Sequence, residues 1–154
     1  MSMLSAKTWT TATYAEQYVK QLSLDFIACM NTRNFNSPGC QHISPHFEAV
    51  HDAEHHSYHA TSRTDTLDFM SRFLDANPGY RTQVLDVSVN VDEAADKANA
   101  WMLRTCEGLT NCARRESVCH LEWQRQDGDW FCVGYEAIRY FPFFTIEALR
   151  GGGL

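Results

Sequence analysis

No stretch of this 154-residue sequence stays apolar for long enough to span a membrane. Its first residues also lack the basic, then apolar, order of a secretory signal. A membrane is therefore not an expected partner, and a cytoplasmic location is the expectation. Positive charge is scarce as well: 13 Lys and Arg stand against 19 Asp and Glu, a formal net charge of −6. Arg114 and Arg115 are the one adjacent basic pair. A phosphate-binding surface wants the opposite balance, which argues against nucleic acid as a partner. Six cysteines are present (Cys29, Cys40, Cys106, Cys112, Cys119, Cys132), yet no two form a CxxC pair. Cys106 and Cys112 flank a loop and can face each other, but structural zinc needs more thiols or histidines at suitable spacing. Without export the thiols should stay reduced. Cys29, Cys119 and Cys132 fall within periodic segments and read as small buried hydrophobes. Internal repeats are missing too, and the length fits one domain with a sizeable core.

What the chain does have is a change of period half-way along. Tyr14, Tyr18, Leu22, Phe26 and Cys29 recur every three or four positions, the stripe of an amphipathic helix running to about Met30. Asn31-Thr32-Arg33-Asn34 ends it, and Ser37-Pro38-Gly39 breaks the chain again. His46–His51, after Ser44-Pro45, reads as a short strand. A second helix starts near Ser62 with Asp65 as its capping partner, and buries Leu67, Met70, Phe73 and Leu74. Asn77-Pro78-Gly79 stops it. From Arg81 to Arg139 the period becomes two, giving four strands of roughly ten residues in two hairpins. Leu85, Val87, Val89 and Val91 share one face, and Asp127-Gly128 makes the last tight turn. Helices followed by long antiparallel strands predict an α+β fold, its sheet wrapped around the helices with a small-molecule pocket between them. Residues 1–12 read as a flexible N-terminus and 13–140 as the domain. Residues 141–154 read as a tail whose aromatics pack on the domain or on a partner subunit.

Met30–Phe35 (MNTRNF), Phe47–Asp52 (FEAVHD) and Leu121–Val133 (LEWQRQDGDWFCV) carry a family resemblance. In this order of elements the chain resembles the SnoaL-like polyketide cyclase group of the nuclear transport factor 2-like superfamily. That superfamily also holds ketosteroid isomerase and scytalone dehydratase. The match spans roughly residues 12–139. It implies a cone-shaped, curved antiparallel sheet around N-terminal helices (a cystatin-like roll), a ligand cavity at its open end and frequent homodimers. Members include isomerases, cyclases, dehydratases and non-catalytic binding modules, so the fold does not name the reaction.

Asp52 ends FEAVHD, where the resembling isomerases carry a general base; a turn aspartate is the competing reading. His51 points to the opposite side if the strand continues, so one of the two lines the pocket. His120 and Glu122 lie two apart on a strand and share a face. There they form an acid–base pair if that face is inner, or a solvated or interface pair if the Cys119, Leu121 and Trp123 face is inner. Tyr14, Tyr18, Trp101 and Tyr135 are candidate pocket walls that are otherwise core residues. Arg104 either binds a carboxylate or stabilises an enolate, or it faces solvent. The run His51, His55, His56, His59 would place three imidazoles on one helical face. It lacks an HExxH order and precedes a capping signal, so it reads as a polar loop at the cavity rim without metal. The expectation is an isomerase, cyclase or dehydratase that needs no cofactor. It acts on a polyketide- or terpenoid-like molecule in an apolar cavity, as a homodimer. The alternative is a non-catalytic binding or dimerisation module of the same fold.

Overall fold

A computed structural model of the chain describes residues 13–52, 57–109 and 114–138, and the side chains at 49–52, 57–60 and 138 are outside the description. Among the described residues the helices are α1 (Tyr14–Thr32), α2 (Pro38–Gln41) and α3 (Arg63–Ala76). Its strands are β1 (Ile43–Asp52), β2 (Ser57–Ala60), β3 (Arg81–Asp92), β4 (Lys97–Glu107), β5 (Arg115–Gln126) and β6 (Asp129–Ile138). The six strands form one sheet in the order β2-β1-β6-β5-β4-β3. All neighbours are antiparallel except β1 and β6, which run parallel. The result is the expected α+β architecture, a curved mixed sheet packed on helices.

Local chemistry sets the helix ends. The Thr13 hydroxyl accepts from the Glu16 amide and the Glu16 carboxylate accepts from the Thr13 amide, each at 3.1 Å, a complete capping box. Ser62 caps α3 by accepting from the Asp65 amide at 3.1 Å. Arg33, at φ 57°, closes α1 in the left-handed region, and its guanidinium donates to the Met30, Tyr80 and Pro78 carbonyls. The Asn31 amide donates to the Thr82 carbonyl and accepts from the Thr82 amide, at 2.7 and 2.8 Å. One side chain thus stands in for a missing strand neighbour at the start of β3.

Val19, Leu22, Phe26 and Ile27 of α1 bury themselves against Ala100, Met102, Leu121 and Trp123 of the sheet. Each large side chain contributes about 1.5–3 kcal/mol of burial. Ala98, Ala100, Met102, Arg104 and Cys106 therefore form the inner face of β4, and Cys119, Leu121 and Trp123 that of β5. Two bulges shift the parity. Between Val84 and Asp86 the register slips, so Leu85 stands 44% exposed while Val87, Val89 and Val91 pack on the core. This corrects the expectation that Leu85 joins those valines. Between Glu122 and Trp123 a second slip leaves both Cys132 and Tyr135 on the inner face of β6.

Two elements differ from the sequence reading in extent. β1 starts before Pro45, at an irregular stretch of its pairing with β6 where a proline is tolerated. The histidine run is neither a helix nor wholly a loop: His51 ends in β1, paired with Tyr58 of β2, and His59 pairs with Val50. The i, i+4, i+8 face that would collect three imidazoles is not formed, and residues 53–56, with His55 and His56, lie outside the described residues.

Candidate functional site

Among the described residues the inner face carries one charged side chain that is nearly sealed from solvent. Arg104, 8% exposed, lies on β4 between Met102 and Cys106. Its Nε donates to Ser117 Oγ at 3.1 Å and its Nη2 to the Tyr135 hydroxyl at 2.6 Å. The Tyr135 ring, stacked on Phe26 of α1, lies 5.9 Å from the guanidinium carbon. Tyr80, Cys106 and Cys119 complete the surroundings, with the Tyr80 hydroxyl donating to Cys106 Sγ at 3.3 Å. Burial pushes the Tyr135 hydroxyl up to about 12 despite the opposing guanidinium, and burial likewise raises Tyr80 and Cys119. These groups stay protonated at neutral pH, while a guanidinium keeps its charge. Arg104 thus has neutral partners, and no carboxylate among the described residues pairs with it. The solvent-facing alternative for Arg104 is corrected. A charged donor in an apolar interior, beside two hydroxyls, can hold an anion or a developing oxyanion.

A second polar cluster sits at the opposite end of the same strands, beside the β5–β6 turn. The Tyr18 hydroxyl donates to Asp129 Oδ1 at 2.9 Å, and His42 Nε2 lies 3.1 Å from Oδ2. His42 Nδ1 is 2.7 Å from the Pro38 carbonyl. Burial alone would raise the Asp129 pKa, but the Trp130 amide, the Tyr18 hydroxyl and His42 together hold it below the usual carboxylate range. Burial and Asp129 push Tyr18 up to about 12. This network borders an open cleft of about 390 Å³ lined by Tyr14, Tyr18, Glu93, Arg125, Asp129 and Trp130. Arg125 lies over the Trp130 ring at 5.1 Å and is paired to Asp96 at 2.6 Å.

The structure therefore divides the residues that sequence spacing had grouped. Arg104 and Tyr135 come together. Tyr14, 80% exposed, and Tyr18 stack on each other and line the open cleft at the far end, away from Arg104. His120 and Glu122 sit on the outer face, because Cys119, Leu121 and Trp123 take the inner one. His120 stacks on Trp101 at 4.0 Å and its Nε2 lies 2.7 Å from Asn99 Oδ1. Glu122 lies across Gly134. Trp101, 44% exposed, is neither pocket wall nor core. Asp52 and His51 close β1, and their side chains lie outside the described residues. The register still places His51 opposite Ala137, which pairs with Cys119, so β1 ends at the same end of the sheet as Arg104. Ser117, Tyr80, His42 and Asp129 escaped the sequence reading. Ser117 becomes visible only once the β4–β5 register is known.

Cys29 and Cys40 meet between α1 and α2, Sγ to Sγ at 2.8 Å, both buried. Cys112 and the aromatic tail from Phe141 to Phe144 lie outside the described residues. Among the described residues no three His, Cys, Asp or Glu side chains are grouped to hold a metal ion, and no helix is long and apolar enough to cross a membrane.

Neither a protein-family model nor a curated protein matches the sequence. Solved structures do match the fold. An NTF2-like protein of unknown function from Pseudomonas putida superposes with a TM-score of 0.71 at 16% identity, covering 84% of this chain and 89% of that one. A hexachlorocyclohexane dehydrochlorinase from Novosphingobium barchaimii gives 0.67 at 15% identity, over 80% and 86% of the two chains. A proposed ketosteroid isomerase from Shewanella frigidimarina gives 0.63 at 13% identity, over 77% and 92%. The chain has the cystatin-like fold of NTF2-like proteins. Proteins of that fold include isomerases, dehydratases and many of unknown function, so the reaction has to be argued from the site.

Proposed function

We propose that this protein is an isomerase, cyclase or dehydratase of the SnoaL-like kind, acting by general acid–base catalysis in the interior of its cone. The observation that supports this reading is Arg104, a buried cation held by Tyr135 and Ser117 with no carboxylate partner among the described residues. Such a group stabilises the oxyanion that develops when a proton is taken from the carbon next to a carbonyl, and it does so without reorganising. Asp52, at the same end of the sheet by register, is the proposed base. The substrate is a polyketide- or terpenoid-like ketone whose carbonyl oxygen faces Arg104. The same reading includes a homodimer, formed through the outer face around Trp101 and His120.

The test is uptake of solvent deuterium by a panel of β,γ-unsaturated and β-hydroxy ketones, followed by mass spectrometry. The wild-type protein is expected to accelerate exchange over buffer, and Asp52→Asn to lower it by about 10²–10⁴-fold. His120→Ala, on the outer face, should leave the rate unchanged. No acceleration across the panel would end the catalytic reading and leave the fold as a binding module.

A further inference from the structure

Arg104 has more donors than its protein neighbours use. A guanidinium carries five N–H groups. One on Nε goes to Ser117 and one on Nη2 goes to Tyr135. Three remain, both on Nη1 and the second on Nη2, and one Nη1–H with that Nη2–H makes the end-on fork that grips a carboxylate through two parallel hydrogen bonds. The edge already engaged fixes the plane and direction of that fork, so little further ordering is needed on binding. Fixing a guanidinium with two hydroxyls and then giving it no anion is costly for a structural residue. A buried cation needs a counter-charge or it destabilises the fold.

The surroundings add a second feature. Met102, Cys106, Cys119 and Tyr80, the buried neighbours of Arg104, are apolar or neutral. One buried cation on such a wall suits a molecule with one negative head and an apolar body. A phosphate dianion would want more charge and more water than these partners provide.

We infer that the ligand of this site is an apolar carboxylic acid, its carboxylate seated on the free Nη1/Nη2 fork of Arg104. The inference rests on the proposed function only in taking the cone interior as the site. It narrows the substrate or product to an acid, and it holds whether or not a proton is moved.

Isothermal titration of the full chain with hexanoate and 3-phenylpropanoate, against hexanamide and 3-phenylpropanamide, tests it. The acids should bind, and the amides should bind about 10- to 100-fold more weakly, as expected for losing a charged pair of hydrogen bonds. Inorganic phosphate at equal ionic strength should not compete. Arg104→Lys keeps the charge and loses the fork, so it should lose most of the preference for acid over amide. Arg104→Met should lose all of it, and circular dichroism reports whether each variant is folded. If Arg104→Met does not fold, Arg104→Lys decides. Equal binding of acids and amides, competition by phosphate, no acid binding at millimolar concentration, or a preference unchanged in Arg104→Lys would each overturn the inference. Acid binding without deuterium exchange would sink the catalytic reading and leave this one standing. Exchange of the ketones without any binding of the acids would do the reverse.

Discussion

Asp129 accepts from the Trp130 amide and the Tyr18 hydroxyl and meets the His42 ring, although its side chain is 44% exposed. Its folded pKa lies below the ordinary value of 3.8. A lowered carboxyl pKa contributes stability that is fully present above the unfolded value and fades as pH falls through the folded one. The difference in melting temperature between wild type and Asp129→Asn should therefore be steady from neutral pH down to about pH 5, then shrink below about pH 4. Thermal scans in a pH series check this. A gap that stays constant down to pH 2 would mean that the carboxylate charge is not what the cluster uses. Tyr18 plays the donor throughout, since its raised pKa keeps the phenol protonated over that whole range. None of this was legible in the sequence, where Asp129 reads as a turn residue beside Asp127-Gly128 and His42 as an isolated histidine. Their meeting depends on α2 and the β5–β6 turn arriving at one place.

At the scale of elements, α2 lies against α1 through a glycine. A Cβ on Gly39 would stand 2.4 Å from the Phe26 backbone nitrogen and 2.5 Å from the Asp25 carbonyl carbon, both main-chain atoms that cannot swing aside. Gly39→Ala is expected to push the two helices apart and cost about 1–3 kcal/mol, read as a lower urea midpoint with an unchanged slope. An unchanged midpoint would show that α2 moves freely on α1. Helix caps and strand alternation were open to sequence reasoning because they are local: Ser62 with Asp65, or Val87 with Val89, act within a turn or a pleat. The bulges were not. Leu85 continues the alternation of its valines perfectly, and only the pairing with β4 turns it out to solvent. The same limit governs His120 and Glu122, whose shared face follows from spacing but whose side of the sheet follows from what α1 covers. Tyr135 and Arg104 were found as candidates one at a time. Their hydrogen bond spans three strands and is a fact of register.

At the scale of the whole molecule, the outer face is what the helices leave uncovered. Trp101 and Leu85 are each 44% exposed there, with the His120 ring flat against the indole. The homodimer proposed through this face should sediment at twice the 17.6 kDa of the chain, and Trp101→Arg should return it to a monomer. A wild-type mass of one chain across micromolar concentrations would dispose of the dimer. The curved sheet and its helices were legible from the switch of period at Arg81, whereas the parallel seam between β1 and β6 was not, because no local signal marks a strand's neighbour in space. That seam also orders events in time. β3 to β6 follow one another closely in sequence and can zip together by short loop closures, but joining Ile43 to Cys132 and His51 to Ala137 closes a loop that holds most of the chain. Long closures are slow because their entropy must be spent before any contact repays it. The meander is thus expected to form before β1 docks on β6, so that the surroundings of Tyr135 are completed late.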